Sequence, residues 1–243
     1  MKFQYSILPI CLLLSLPEPA RGESYTNPDL HYSFEIPEGW IQIPGDDLET
    51  LVPPARRTRE PPVAYTTGYQ ILALRAFELP YLLVQHVPGG DSAEQLSKVS
   101  SGELNQSARD YSISLQLATG AVFGKPILDP VRKMVLTVME AQSPPDGLEI
   151  RALAVAAPGT EGTVGMLFYS RASEWEDDLP IFEELLDSFR FASGYEYDSA
   201  SSLATYVAAP TDWARMLGRM MVPAALVGGL AALYYRSRKK KIY

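Results

Sequence analysis

The sequence predicts an α+β fold, in which helices pack on a mostly antiparallel β-sheet, followed by a C-terminal transmembrane helix. Three observations lead to this prediction. Short stretches with alternating apolar side chains are separated by turn residues, which is typical of antiparallel strands. Two stretches with apolar residues at helical spacing each begin with a capping-box signature. The chain of 243 residues ends in an apolar stretch that is followed directly by cations.

Charge is distributed unevenly along the chain. The net charge is −8, yet residues 23–212 hold 28 of the 29 Asp and Glu residues and only 12 of the 21 Lys and Arg residues. An acidic body of this kind repels phosphate backbones, which argues against nucleic acid as a partner. Residues 213–243 hold seven cations and no anion, and this basic end fits an anionic membrane surface.

The N-terminal residues 1–22 have the features of a secretory signal peptide. Lys2 supplies the charged start, residues 7–16 form an apolar core too short to span a bilayer, and Ala20-Arg21-Gly22 is a small-x-small cleavage site. Two alternatives remain open, namely lipidation at Cys11 and an uncleaved N-terminal anchor. Since Cys11 is the only cysteine, the mature domain has no disulfide, no thiol nucleophile and no cysteine-based metal site.

The folded domain is predicted to span residues 25–191 and to open with an antiparallel hairpin. Residues 37–39 (Pro-Glu-Gly) are the turn, and apolar residues alternate with polar ones on both sides of it. The alternating apolar residues are Phe34, Ile36, Ile41 and Ile43.

Residues 45–62 are predicted to form a loop that carries a group of cations. Arg56, Arg57 and Arg59 lie between two pairs of prolines. These arginines are the candidate partner-binding residues, because they suit an acidic partner or lipid headgroups; a solvated loop is the alternative. Two apolar runs follow, at residues 63–77 and 79–87.

A helix is predicted to begin at Ser92, because Gln95 three residues later completes a capping box. Its apolar residues lie near one face, and they are Leu96, Val99, Leu104 and Ala108. The same helix contains the sequon Asn105-Gln106-Ser107, and its position in a helix argues against glycosylation.

Strands are predicted again between residues 112 and 170. Met134, Leu136 and Val138 alternate with other residues, as in a strand. Turns are predicted at residues 145–147, before a strand over 148–156, and at residues 159–162, before a strand containing Val164, Met166 and Phe168.

A final helix is predicted to begin at Ser173, with Glu176 completing a second capping box. Pro180 lies inside the pattern, either as the first residue of the main helix or at a kink. The apolar face consists of Trp175, Leu179, Phe182, Leu186 and Phe189. An acidic group at the start suits the helix dipole, and a divalent cation site is the alternative; it consists of Glu174, Glu176, Asp177 and Asp178.

Motifs for catalysis are absent from the sequence. It has no Gly-x-Ser-x-Gly elbow, no His-Glu-x-x-His pair and no phosphate-binding lysine loop. The only histidines, His31 and His86, lie beside or within predicted strands, where structural roles are more common than metal binding. The sequence therefore predicts no catalytic residue, no metal and no cofactor.

Two stretches together resemble the PsbP/Mog1-like superfamily, which includes bacterial DUF1795 proteins. They are YSFEIPEGW, at residues 32–40, and FEELLDSFRF, at residues 182–191. The resemblance covers about residues 31–191 and implies a PsbP/Mog1-like sandwich, with Trp40 plugging the core and Phe189 joining the last helix to the sheet. It also implies a mostly non-enzymatic role, in assembly or as an adaptor for protein partners.

After the domain, residues 192–212 are predicted to form a stalk and residues 213–235 a single transmembrane helix. Residues 220–235 alone measure about 24 Å as a helix, which is short for a hydrocarbon core of ~30 Å. Extension back to Trp213 supplies the missing length, since Arg219 can reach the headgroups. Trp213 and the pair Tyr234 and Tyr235 then lie at the two interfaces.

The residues around this helix predict its orientation and a possible self-association. The tail 236–243 holds cations that stay on the cytoplasmic side, which places the acidic domain in an extracytoplasmic space, periplasmic or extracellular and luminal. These cations include Arg236, Lys239, Lys240 and Lys241. Small residues repeat every four positions and suit close approach of two such helices in a homodimer; they are Ala224, Gly228 and Ala232.

Together these features predict a membrane-anchored, extracytoplasmic, non-catalytic binding or assembly module that recognises a protein partner. The alternative is a membrane-tethered hydrolase or a protein that binds a small ligand or metal. A polar pocket in which His31 or His86 meets two or more carboxylates would favour the alternative. An exposed apolar patch without a pocket would favour the module.

Overall fold

An eight-stranded antiparallel sheet forms the centre of the domain, and layers of other elements cover both of its faces. The structure is a computed structural model that describes residues 22–50, 65–72, 77–88, 92–106, 121–142 and 147–197. The strands are β1 (Ser24–Asn27), β2 (Tyr32–Glu35), β3 (Trp40–Gln42), β4 (Tyr65–Ile71), β5 (Tyr81–Val87), β6 (Val122–Phe123), β7 (Ile127–Asp129), β8 (Met134–Gln142), β9 (Glu149–Gly159), β10 (Gly162–Arg171) and β11 (Arg190–Phe191). The helices are α1 (Gly45–Thr50), α2 (Ala93–Leu96), α3 (residues 101–106) and α4 (Trp175–Ser188).

Strands β9 and β10 form the middle of the sheet, whose order is β3-β4-β5-β10-β9-β8-β6, with β7 also paired to β8. Their side chains are buried on both faces, which explains why the sequence here is a nearly continuous apolar run. Gly159 pairs with Gly162 across the two-residue turn, as predicted from the sequence. Gly162 has φ of +141°, and a Cβ there would lie 2.3 Å from the carbonyl oxygen of Val87. Only glycine therefore fits this turn.

One face of the central sheet is covered by α4 and by a small sheet in the order β1-β2-β11. Trp40 is buried and meets the ring of Phe182 edge-on at 6.4 Å between centroids. Phe189, directly after α4, is buried and stacks on Tyr32 of β2 at 5.7 Å. These contacts confirm that Trp40 plugs the core and that Phe189 joins the last helix to a sheet.

The predicted hairpin over residues 31–44 is wrong. The turn exists, since the Trp40 N–H donates to the carbonyl of Pro37 at 3.1 Å, but β2 and β3 do not pair with each other. β2 pairs with β1 and β11, whereas β3 pairs with β4 in the central sheet. The turn thus moves the chain from one sheet to the other. Alternating apolar residues mark a half-buried strand, but they do not say which strand lies beside it.

The opposite face of the central sheet is covered by the shorter helices. Residues 45–50, predicted as loop, form α1, which buries Leu48. The predicted helix at Ser92 does begin with a capping box, but α2 ends at Leu96. A second box then starts α3, because the Ser100 N–H donates to the Glu103 carboxylate at 2.8 Å and the Glu103 N–H donates to the Ser100 hydroxyl at 3.2 Å. Two short helices, α2 and α3, therefore occupy the range in which one longer helix was predicted.

Helix α4 begins differently from the prediction. Its N-cap is Glu174, which makes no side-chain capping bond, and Ser173 lies in the preceding turn. That turn is closed by the Glu174 N–H, which donates to the carbonyl of Arg171 at 3.0 Å, while the Glu174 carboxylate pairs with the Arg171 guanidinium at 2.9 Å. Pro180 is inside one continuous helix, in its second turn, rather than at its first residue.

Ordered contacts continue beyond residue 191, where the predicted stalk begins. The Ala192 N–H donates to the carbonyl of His31 at 2.7 Å, and the Thr160 N–H donates to the carbonyl of Tyr195 at 3.0 Å. The rings of His31 and Tyr195 stack at 3.6 Å between centroids. Residues 192–197 are therefore packed on the domain, while the remainder of the predicted stalk lies outside the described residues.

Candidate interaction surface

All site residues predicted from the sequence lie outside the described residues. They are Arg56, Arg57 and Arg59 of the predicted loop, and Trp213, Arg219, Ala224, Gly228, Ala232, Tyr234, Tyr235, Arg236, Lys239, Lys240 and Lys241 of the predicted anchor and tail. Residues 1–21 of the predicted signal peptide also lie outside. Within the described ranges, no helix combines the length and the apolar character needed to cross a bilayer.

The most distinctive surface of the described domain is one edge of the central sheet. Strands β6 and β7 pair one after the other with β8 and act as a single interrupted edge strand. Residues 124–126 interrupt it, and the Gly124 N–H still donates to the carbonyl of Val138 at 2.8 Å. We call Val122, Lys125 and Ile127 the edge surface.

Apolar side chains are unusually exposed along this edge. Val122 is 59% exposed, Ile127 is 65% exposed, and Val131 in the following turn is 89% exposed. Only two other large apolar side chains of the described residues are exposed, Ile41 and Leu72, and both lie at the opposite edge of the sheet. Val122 and Ile127 lie opposite Glu140 and Leu136 of β8, so the exposed apolar side chains are spaced along the edge.

The same edge carries cations on a domain that is otherwise acidic. The described residues include seven Lys and Arg residues and 22 Asp and Glu residues, and three of those seven cations are Lys125, Arg132 and Lys133. Arg132 is engaged, since it pairs with Asp129 at 2.8 Å and with Asp187 of α4. Neither Lys125 nor Lys133 forms an ion pair with a described residue. The edge surface therefore combines two exposed apolar side chains with one cation, Lys125.

The side chain of Asn105 closes part of this edge. Its carbonyl oxygen accepts from the Phe123 N–H at 2.7 Å, and its amide nitrogen donates to the Phe123 carbonyl at 3.3 Å. In this way α3 satisfies the backbone of β6 as a neighbouring strand would. No described strand pairs with the outer side of β7, so β7 is the part of the edge that is open among the described residues.

A shallow cleft lies at the end of the sheet where β9 turns into β10. It is lined by residues that include His86, Glu161, Phe191 and Tyr195. A ring nitrogen of His86, Nε2, lies 3.1 Å from the carbonyl oxygen of Glu161. Glu161 is the one acidic residue in the lining, and no three His, Cys, Asp or Glu side chains of the described residues cluster as a metal site would require.

The acidic group at the start of α4 is divided among separate partners. The carboxylate of Asp178 accepts from the Ser170 hydroxyl, Glu174 pairs with Arg171, and Glu176 lies 3.7 Å from Arg151. Burial raises the pKa of Asp178 above its usual value, against the opposing effect of the Ser170 hydrogen bond. The four carboxylates therefore do not converge on one point.

The face of the central sheet under α1 to α3 holds polar groups that sequence reasoning missed. Gln85 is 1% exposed, and neither atom of its amide has a hydrogen-bond partner. Gln70 is also buried, and its carbonyl oxygen accepts from the Phe77 N–H at 2.9 Å. A signal was available, because each glutamine lies within one of the runs predicted as apolar, residues 63–77 and 79–87. Polarity alone does not show whether such a residue has a partner.

Two buried tyrosines lie on the same face. The rings of Tyr81 and Tyr169 stack at 4.9 Å between centroids, and both side chains are completely buried. Burial raises the pKa of both hydroxyls far above the usual value, so both stay protonated. This face is therefore a structural core with polar groups inside it, and it offers no open site in the described residues.

Comparison with known proteins supports the fold. No protein-family model and no curated protein matches the chain. Among solved structures, the solution structure of cyanobacterial PsbP (CyanoP) from Synechocystis sp. PCC 6803 is similar, with a TM-score of 0.50 and 15% sequence identity. The match covers 72% of this chain and 95% of that chain. The domain therefore has a PsbP-like fold, as the resemblance of its first and last motifs predicted.

Proposed function

We propose that this protein is a membrane-anchored, extracytoplasmic binding and assembly module that recognises a protein partner without catalysis. The observation that supports this function most is the edge surface, which combines exposed Val122 and Ile127 with Lys125 on an acidic domain. The proposed anchor is the predicted helix 213–235, with the domain outside the cytoplasm and the basic tail inside.

The chemistry of the edge defines the kind of partner. Strand β7 has one side open among the described residues, and an extended segment can add to such a strand through backbone hydrogen bonds. Ile127 supplies an apolar contact and Lys125 a positive charge beside it. The partner segment is therefore extended and acidic, with apolar side chains in alternate positions. Charge attraction would also speed its association with this edge.

The alternative function, a tethered hydrolase or a protein that binds a small ligand or metal, has weaker support. It requires a polar pocket in which a histidine meets two or more carboxylates. The cleft beside His86 contains Glu161 as its one acidic lining residue. The histidine therefore does not meet a second carboxylate in this cleft.

Site-specific photo-crosslinking in the full-length chain tests the partner surface. A photoreactive amino acid at Ile127 is compared with the same amino acid at Leu72, because the two side chains are 65% and 64% exposed at opposite edges. We expect one discrete protein adduct at Ile127, none at Leu72, and a reduced yield at Ile127 when Lys125→Glu is added. Equal adducts at both edges, or adducts unaffected by Lys125→Glu, would contradict the proposed surface.

Topology is tested separately with the same chain. Extraction with alkaline carbonate should leave the protein in the membrane pellet, and a reporter fused after Tyr243 should be active only on the cytoplasmic side. A carbonate-soluble protein would remove the anchor from the proposal. An extracytoplasmic reporter would reverse its orientation.

A further inference from the structure

The end of the domain from which the chain leaves carries its own apolar and basic turn. Gly159 pairs with Gly162 at the β9–β10 turn, and Glu196 bridges to Gly159. Val135 at the start of β8 pairs with Ala156, which places the turn at residues 130–133 at the same end of the sheet. We call this the exit end, because residue 197 is the last described residue and the predicted anchor follows it.

The exit end is fixed to the domain by specific contacts. Tyr195 is held by its stacking on His31 and by the Thr160 N–H that donates to its carbonyl. The chain therefore departs from a defined point. If the predicted stalk over residues 198–212 behaves as a flexible linker, its root-mean-square end-to-end distance is ~20 Å. The longest strands of the sheet measure ~35 Å, which is more than this linker length. An anchor that begins at Trp213 would therefore keep the exit end closer to the bilayer than the opposite end of the sheet.

The turn at this end is rigid and presents Val131 to solvent. The Asp129 carboxylate accepts from the Val131 N–H at 2.9 Å and from the Arg132 N–H at 3.0 Å. Arg132 also reaches Asp187 at the C-terminal end of α4. Val131 is 89% exposed, and Lys133, which has φ of +55°, is exposed beside it. An exposed aliphatic side chain and an ammonium group that pairs with no described carboxylate are the components of a weak lipid contact.

Charge alone does not set the orientation of the domain, because carboxylates lie at both ends of the sheet. The acidic group at the start of α4 lies at the opposite end of the sheet from the exit end. Glu176 of this group lies 3.7 Å from Arg151, and Arg151 pairs with Glu140, near the end of β8, at 2.9 Å. The exit end also carries carboxylates: Glu161, Glu196 and Asp29 oppose an anionic surface, and Asp129 and Asp187 are paired with Arg132. The contact is therefore weak by itself and depends on the anchor to hold it near lipid.

We propose that the exit end faces the membrane, with Val131 at the level of the lipid headgroups and Lys133 beside lipid phosphate. This inference rests on the proposed anchor and adds an orientation to it. The edge surface then stands above the bilayer, with Val122 farther from lipid than Val131, because Val122 lies opposite Glu140 near the far end of β8. The partner would meet β7 from the side of the domain rather than from beneath it.

Fluorescence quenching in lipid nanodiscs tests this orientation with the full-length chain. An environment-sensitive label is attached to Val131→Cys in a Cys11→Ser background, and lipids that carry a nitroxide near the headgroup act as the quencher. Val122→Cys is the matched control, because it is exposed on the same edge at the other end. We expect quenching at least twofold stronger at position 131 than at position 122 in nanodiscs that contain phosphatidylglycerol. We also expect that difference to shrink with Lys133→Gln, or when all the lipid is zwitterionic.

The outcomes separate the orientation from the anchor. A chain that enters nanodiscs but shows equal quenching at both positions, or stronger quenching at position 122, overturns the orientation and leaves the anchor intact. A label at position 131 that is protected in cells but unquenched in nanodiscs assigns this turn to a protein contact and likewise overturns the inference. A chain that does not enter nanodiscs overturns both the anchor and the orientation.

Discussion

The side-chain amide of Asn105 pairs with both backbone groups of Phe123, at 2.7 Å and 3.3 Å. A single residue of α3 thereby occupies the place of a neighbouring strand along β6. The same contact explains why the sequon at Asn105 is unsuited to glycosylation, because a glycan would remove the amide from Phe123. Because Asn105 occupies the backbone of β6, the open part of this sheet edge among the described residues is β7, where Ile127 is exposed.

Replacement of Asn105 should destabilise the domain. Asn105→Ala removes both hydrogen bonds and leaves the Phe123 backbone without its partner, so we expect a loss of about 1–2 kcal/mol in the free energy of unfolding. Asn105→Asp keeps the acceptor and loses the donor, and its loss should be intermediate at neutral pH. Urea denaturation of the full-length chain in detergent measures both, with the exposed Lys98→Ala as control. Equal stability of Asn105→Ala and the parent would show that water replaces the amide without loss.

The two buried glutamines should respond in opposite directions to one substitution. Gln85→Met removes an amide that has no partner and keeps its length over Gly165, so we expect a gain of about 1 kcal/mol. Gln70→Met removes the acceptor of the Phe77 N–H and should destabilise by about 1–2 kcal/mol. Thermal and urea unfolding of both variants provide the comparison. A loss of stability in Gln85→Met would indicate that its amide pairs with a buried water or another group.

Asp178 should make stability depend on pH. Burial raises its pKa in the folded chain, so the folded state holds the proton more tightly than the unfolded state. This carboxyl therefore contributes stability below its ordinary pKa of ~3.9, and that contribution is lost as pH rises through the raised value. We expect Asp178→Asn to unfold a few degrees higher than the parent at about pH 7, with the advantage shrinking towards pH 3. Glu184→Gln, at an exposed position of the same helix, should show no such pattern.

The contact between His31 and Tyr195 should hold the last described residues in place. Tyr195→Ala removes the ring that stacks on His31, and it should loosen residues 192–197 without unfolding the central sheet. Hydrogen exchange provides the measurement, because the Thr160 N–H donates to the carbonyl of Tyr195. We expect faster exchange at Thr160 and unchanged exchange at Val155 in β9. Unchanged exchange at Thr160 would show that the backbone contact is sufficient.

Local sequence patterns predicted individual helices, strands and turns better than they predicted which strands pair with each other. The capping box at Ser92 and the tight turn at residues 159–162 depend on bonds or backbone angles within a few residues, and both were confirmed. The hairpin at Pro37 failed because the partners of β2 include Arg190 and Phe191, far along the chain. Sequence spacing contains no information on which distant strand will pair.

The capping box expected at Ser173 shows a second limit. Its sequence signature is as complete as the one at Ser92, but Glu174 pairs with Arg171 and the helix starts one residue later. A competing ion pair outside the helix thus decided where it begins. Similarly, Val122, Ile127 and Val131 are ordinary aliphatic residues in the sequence. Their significance depends on an edge position that only the assembled sheet provides.

The second neighbour of strand β2 is β11, the last strand in the sequence, since Tyr32 pairs with Phe191 and Ser33 with Arg190. Strand β2 therefore cannot complete its pairing until the chain has been made as far as residue 191. Products of premature termination within α4 would lack both this strand and Phe189, and they would expose Tyr32 to chaperones and proteases. The small sheet can therefore close only in a chain that reaches residue 191.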